Sequence, residues 1–231
     1  MSGGIKRFRS EYGREYFEEI QKIDNPERRE ILKWDLGFLK SKKARIVRIL
    51  DVGCGLGEFL GYCDSEGMKT YGIEHSEFAV RIARKNTKAS LIRLDVSKRK
   101  WPYPDKFFDA VCAFDLLEHV ENSGFVIGEA RRVLKPEGVL LATTPNGSVL
   151  SQRILPYDPT HINVQDERFW RESFTNAGFA DLSIQGCLMF GFPPSPLLRK
   201  KIVGLGLPVK VGPIFFPLKR LCATLFIIGF G

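Results

Sequence analysis

The stretch ILDVGCGLGEFL, residues Ile49–Leu60, constrains this chain more than any other. An apolar run ends on Asp51, and Gly53, Gly55 and Gly57 follow at alternate positions before a helix-like segment. A strand that turns through glycines into a helix presents backbone N–H groups to a ligand, because no Cβ stands in the way. The dinucleotide fingerprint of this kind is G-x-G-x-x-G, whose third glycine lets helix and strand pack closely. Here the pattern is G-x-G-x-G, and Glu58 stands where the third glycine belongs. A carboxylate at a helix start repels a pyrophosphate that needs the same N–H groups. No Gly-Lys-Ser/Thr follows, so a P-loop is excluded as well. The loop suits a ligand without phosphates that still needs a close backbone approach.

The flanking pattern sets the fold class. RIVRILDVG, KTYGIEHS, ASLIRLDVS, FFDAVCAFDLLEHV and VLLATTPNG read as strands, the fourth passing into a helix. GEFLGYCDSEG, EFAVRIARKN and SGFVIGEARRVLKPEG read as helices between them, with Pro136–Gly138 as a stop. Strands alternating with helices at this spacing predict an α/β fold with a doubly wound parallel sheet. Its ligand crevice lies at the carboxyl ends of the strands. DERFWRESFTNAGF is a further helix, with Asp166 as N-cap. ADLSIQG and ATLFIIGF read as the last two strands. Ahead of the sheet, EYGREYFEEIQKI and NPERREILKWDLGFLK read as amphipathic helices. In the second, Asn25 is the cap, and Ile31, Leu32, Leu36 and Leu39 recur near helical spacing. The expected division is a helical segment 1–45, a ligand-binding core 46–186, and an apolar basic insert with the final strand at 187–231.

The odd cysteine count (Cys54, Cys63, Cys112, Cys187, Cys222) contains no C-x-x-C pair. These read as reduced thiols of a cytoplasmic protein rather than a disulfide frame or zinc site. The opening MSGGIKRFRSEYGREYF has no apolar centre, so no secretory leader is expected. The net charge is +8, and its distribution is uneven: residues 182–231 hold six basic residues and no acidic one. That tail suggests an anionic partner, either a lipid headgroup or a nucleic acid.

Three carboxylates stand at successive strand ends. Asp51 can accept a hydrogen bond from a cationic amine. Glu74 can take both hydroxyls of a ribose. Asp95 can accept from an adenine amino group. Together they describe a pocket for an adenosine that carries an amino acid, which is S-adenosylmethionine.

With this set in place, the chain resembles the class I S-adenosylmethionine-dependent methyltransferases, and within them the quinone and small-molecule O-methyltransferases. The segments ILDVGCGLGEFL, YGIEHS, LIRLDVS, FDAVCAFDLLEHV and RRVLKPEGVLLATTPN carry the resemblance in order across about residues 46–186. It implies a Rossmann-like seven-stranded sheet with an antiparallel last strand. It also implies cofactor contacts. Gly53, Cys54 and Gly55 pass along the methionine part, with Asp51 near its amino end. Glu74 holds the ribose, His75 lies beside the adenine, and Asp95 and Val96 meet the adenine edge and face. Phe114 and Asp115 close over the methionine part.

Methyl transfer needs an aligned acceptor and, for a hydroxyl, a base. His161, in the loop YDPTHINVQ after the fifth strand, is the candidate base. It resembles the histidine of the corresponding loop in the quinone and natural-product O-methyltransferases. Glu118 and His119 in LLEHV tie loop to helix, contact substrate, or ligate a divalent ion as in some quinone methyltransferases; no metal is expected. An Asn/Asp-Pro-Pro-Tyr/Phe segment, frequent in amino-methylating enzymes, does not follow the fourth strand. That absence tilts the reading towards O-methylation, or towards C-methylation of an activated ring.

The insert adds Phe190, Phe192, Leu197, Leu198, Ile202, Leu205, Leu207, Phe215 and Phe216, punctuated by Arg199, Lys200, Lys201, Lys210, Lys219 and Arg220. Apolar surface with cations alone fits a segment at an anionic membrane surface, and equally a lid or a dimer contact. The expected acceptor is therefore a small apolar or lipid-linked molecule. The alternatives are an RNA methyltransferase, or a non-catalytic protein that keeps the fold to bind the cofactor.

Overall fold

The computed structural model describes Phe17 and residues 26–148, 160–192, 210–216 and 224–231, with only the backbone for 26–29, 188–192 and 210–216. The segment 11–23, apart from Phe17, lies outside the described residues. So do Asn25 and, apart from residues 187–192 and 210–216, the insert before the last strand.

Helix α1 (Pro26–Lys42) buries Leu36 and Leu39 through the apolar stripe read from the sequence. Then β1 (Arg48–Val52), α2 (Glu58–Ser65), β2 (Lys69–Glu74), α3 (Glu77–Asn86) and β3 (Ser90–Arg93) follow in strict alternation. β4 (Phe108–Phe114) is buried along nearly its whole length, as a strand covered on both faces must be. After it comes one 3₁₀ turn (Leu117–His119), and α4 (Ser123–Val133) starts only where the Asn122 side chain accepts from the Phe125 N–H at 3.0 Å. The expected direct passage from strand to helix is thus broken by a cap. β5 (Leu134–Pro145) begins immediately after α4. Pro136–Gly138 is not a helix tail but an irregularity in β5, between the pairs Phe108↔Leu134 and Ala110↔Val139. Helix α5 (Glu167–Asn176) is capped by Asp166, as expected, which accepts from the Phe169 N–H at 3.0 Å.

The last strands are β6 (Asp181–Phe192), β7 (Lys210–Phe216) and β8 (Thr224–Phe230). The sheet order is β3-β2-β1-β4-β5-β8-β6-β7. β1 to β5 pair in parallel, and β8 lies antiparallel to both β5 and β6. This is the expected doubly wound sheet with its antiparallel last strand. To the seven strands expected the structure adds an eighth, β7, because β6 runs on past Gly186 and pairs with it as an edge hairpin. The expected boundary at 186/187 falls inside β6. Chain order reverses between β1 and β4, which puts the crevice at their carboxyl ends.

Candidate functional site

A cleft of about 1050 Å³ opens at those strand ends. Every residue expected to contact the cofactor lines it: Asp51, Gly53, Cys54, Gly55, Glu74, His75, Asp95, Val96, Phe114 and Asp115. Residues not anticipated line it as well, among them Phe17, Asp35, Phe59, Thr143 and Phe226.

The glycine loop is held by β2. The N–H groups of Gly53 and Cys54 both donate to the Ile73 carbonyl, at 2.8 and 3.1 Å. Gly55 has φ 52, and its N–H donates to Glu74 Oε2 at 3.0 Å. Glu74 Oε1 accepts from the Ser76 N–H at 2.7 Å. Each carboxylate oxygen has a second lone pair, so Glu74 can brace the loop and still accept from ligand hydroxyls.

At the adenine end, Asp95 Oδ1 accepts from the Ser97 N–H and hydroxyl, and Lys98 pairs with Oδ2 at 2.8 Å. Burial opposes the charge of Asp95, but the hydrogen bonds from Lys98 and Ser97 outweigh it and hold its pKa below the ordinary value. Val96 is buried in the main core and also faces the cleft. His75 is exposed, and its carbonyl accepts from Arg93 Nε at 3.3 Å.

At the opposite end the charges lack compensation. Asp51 and Asp35 are 4% and 7% exposed. Neither has a hydrogen-bond or ion-pair partner among the described residues. Burial, then the charge of Asp115, pushes the Asp35 carboxyl from 3.8 up to about 7. Burial, then Glu74 and Asp35, pushes Asp51 to about 7 as well. A carboxyl whose folded pKa is raised stabilises the fold most below its unfolded pKa and stops doing so as pH rises through its folded pKa. The free protein should therefore lose a few degrees of Tm between about pH 5 and about pH 8. Asp35→Asn should flatten that slope in differential scanning calorimetry, whereas an unchanged slope would mean that Asp35 does not titrate there.

Asp115 carries φ 46, a left-handed conformation that needs external support. Thr143 supplies it. The Asp115 N–H donates to the Thr143 carbonyl at 3.1 Å and to Thr143 Oγ1 at 3.0 Å, and Thr143 Oγ1 in turn donates to Asp115 Oδ1 at 2.9 Å. Thr143→Val keeps the shape and removes the hydroxyl. It should weaken cofactor binding by about tenfold, since a hydrogen bond to a charged group contributes roughly 1.5–3 kcal/mol. Calorimetric titration checks this, and unaltered affinity would separate Asp115 from the cofactor.

His161 does not stand alone. Its ring packs on that of His119, with centroids 4.8 Å apart. His119 Nδ1 lies 3.1 Å from the Thr160 carbonyl, and the Asn163 N–H donates to the Glu118 carbonyl at 2.9 Å. The 160–163 loop is thus docked on the 3₁₀ turn. Thr160, Ile162 and His119 line the cleft, whereas the expected base His161 is not among the lining residues and reaches the cleft only through its contact with His119. Glu118, His119 and His161 bring ligand atoms within 4.8 Å of one another, a donor set suited to a divalent cation.

The surplus of acid in the cleft suits a cationic ligand such as S-adenosylmethionine. Comparison with known proteins agrees. The family model described as a methyltransferase domain matches residues 8–184. The chain belongs to this methyltransferase domain family. It is 30% identical over 135 residues to a probable S-adenosylmethionine-dependent methyltransferase of Mycolicibacterium smegmatis, covering 57% of this chain and 51% of that protein. It is 27% identical over 112 residues to a ubiquinone biosynthesis O-methyltransferase of Pelagibacter ubique, covering 48% of this chain and 47% of the other. The chain thus spans about half the length of the curated relatives it matches. The structure of an S-adenosylmethionine-dependent methyltransferase from Archaeoglobus fulgidus superposes with a TM-score of 0.67 at 21% identity, covering 94% of this chain and 99% of that one. That likeness shows a shared fold. No helix among the described residues is long and apolar enough to cross a membrane.

Proposed function

We propose that this methyltransferase-family protein O-methylates a small apolar acceptor, with S-adenosylmethionine as donor. The observation that carries this reading is the apolar wall of the cleft, to which Ile31, Leu32, Phe59, Phe114, Ile162 and Phe226 contribute. Such a wall binds an apolar ring or chain and excludes water from the reacting atoms. The name of the ubiquinone relative points the same way. The cofactor, when bound, supplies a methyl carbon on a sulfonium that is already a good leaving group. The chain's own residues orient and protect: Glu74 holds hydroxyls, Asp95 and Val96 the adenine, and Phe114 and Asp115 the methionine part. His161, packed on the cleft-lining His119, is the proposed base for the acceptor hydroxyl. A base of this kind contributes roughly 10²–10⁴-fold.

The lipid-linked form of the acceptor rests on the acid-free tail of residues 182–231. It predicts sedimentation with anionic vesicles, and indifference to anionic lipid would remove it. RNA suits the cleft poorly. Among the described lining residues the cations are Arg93 and Lys98, each already paired with an acid, Glu77 and Asp95. A phosphate backbone would meet the carboxylates of Asp35, Glu58, Asp115 and Glu121 along the cleft.

The experiment is to incubate pure protein with methyl-labelled S-adenosylmethionine and a crude extract of its source organism. The label is then partitioned among organic solvent, RNA, protein and small polar molecules. Label in the organic phase that falls about 10²-fold or more in His161→Ala supports both parts of the reading. Label in RNA overturns the acceptor. Organic label undiminished in His161→Ala overturns the base.

A further inference from the structure

The cofactor and acceptor readings leave Asp35 unused. It sits on α1, outside the strand-end positions that form the rest of the site. Ile31, Leu32, Asp35, Leu36 and Leu39 follow helical spacing, so Asp35 interrupts an apolar stripe. An aspartate at such a place would ordinarily be excluded from the interior or paired there. Asp35 is instead 7% exposed, lines the cleft, and has no hydrogen-bond or ion-pair partner among the described residues.

The groups around it share its sign. β1 presents Asp51, with Glu74 of β2 beyond it. β4 presents the Cys112 thiol and, at its end, Asp115. α2 adds Glu58 to the cleft wall, while β5 and β8 add uncharged Thr143, Thr224 and Phe226. On α1 itself, Lys33 pairs with Glu30 and Lys40 with Glu66. β7 packs along α1, and its one charged residue is Lys210. No described cation pairs with Asp35 or Asp51, so a proton or a cationic ligand neutralises them.

We propose that Asp35 is a donor-selecting residue: with Asp51 and Asp115 it forms a carboxylate wall that prefers the ammonium and sulfonium of S-adenosylmethionine over the single ammonium of S-adenosylhomocysteine. The donor and the product differ at this end by one positive charge and one methyl group. A wall of uncompensated carboxylates in a poorly solvated cleft converts that charge difference into selectivity and favours release of the spent cofactor. The raised proton affinity of Asp35 and Asp51 couples the selectivity to pH. In the free protein these carboxyls are partly protonated near neutrality, and the cationic donor expels protons that the product expels less. The inference is independent of the acceptor and of His161.

Calorimetric titration of both ligands at pH 6, 7 and 8, in buffers of different ionisation enthalpy, tests it. Wild-type protein should release protons on binding S-adenosylmethionine at pH 7. Its preference for donor over product should grow by about tenfold from pH 6 to pH 8, about 1.4 kcal/mol. Asp35→Asn should keep its affinity for S-adenosylhomocysteine within about threefold and lose about tenfold of the preference at pH 8. A merely structural Asp35 would change both affinities together, and that result overturns the proposal. Wild-type binding without proton release, or a preference that does not vary with pH, overturns it as well and needs no variant.

Discussion

Replacing Glu74 by alanine should weaken binding of S-adenosylhomocysteine and S-adenosylmethionine alike by about 10²–10³-fold. The carboxylate has two tasks. It accepts from the N–H groups of Gly55 and Ser76, at 3.0 and 2.7 Å, which fixes the glycine turn against the end of β2. Its remaining lone pairs face the cleft, where they would meet both ribose hydroxyls. Each hydrogen bond to a charged group contributes roughly 1.5–3 kcal/mol, and losing the pair accounts for the predicted factor. Glu74→Gln keeps one acceptor oxygen and turns the other into a donor, so it should fall between the alanine variant and wild type. Because the ribose is common to donor and product, the ratio of their affinities should hardly move, in contrast to Asp35→Asn. Calorimetric titration with S-adenosylhomocysteine measures this. An alanine variant that binds within about threefold of wild type would remove Glu74 from the ribose.

Gly57→Val should cost the fold about 3 kcal/mol or more. Gly57 has φ 75, which a β-branched side chain adopts only under strain. Space is also lacking, since a Cβ there would lie 2.9 Å from the Ala83 Cβ and 3.0 Å from Thr87 Cγ2. The start of α2 presses directly on α3 at this point. Backbone strain and overpacking each contribute about 1–3 kcal/mol, a large share of the roughly 5–15 kcal/mol that holds a domain together. Gly55→Ala is the informative contrast. At Gly55, φ 52, alanine carries the left-handed strain without the crowding, since among the described residues a Cβ there would meet the Phe17 ring at 3.9 Å, so its stability cost should be the smaller of the two. Urea denaturation followed by circular dichroism compares the two. A Gly57→Val midpoint equal to that of Gly55→Ala would mean that the turn relaxes freely.

Most of the sheet was legible in the chain because alternation of strand and helix is a local pattern. The run to Asp51, the N-cap at Asp166 and the helix of residues 77–86 need only neighbours in sequence, and all three stand as read. The strand-end carboxylates Asp51, Glu74 and Asp95 were legible for a related reason. A parallel sheet brings the ends of β1, β2 and β3 together wherever the strands stop, so their positions follow once the strands are known.

What remained hidden depends on which surfaces meet. Thr143 sits inside a β-run with no mark of function, and only the pairing of β4 with β5 sets its hydroxyl against Asp115. The contact between His119 and His161 spans 42 positions and exists because a loop docks on a 3₁₀ turn. The eighth strand left no clear mark because Pro and Gly interrupt the strand pattern of the insert, while pairing with β6 holds it at the sheet edge. Asp35 left one trace, an acid in an apolar helical stripe, but sequence does not say what that stripe faces. The shared core of Leu36 and Leu39 on α1 with Ile49 and Cys112 of the sheet makes its carboxylate a neighbour of Asp51 and Asp115. Local periodicity settled which segments are strands and where the cofactor loop lies. The charge at the reacting end of the cleft was decided by tertiary packing, because like charges from distant segments come together only when the buried faces of helix and sheet close on each other.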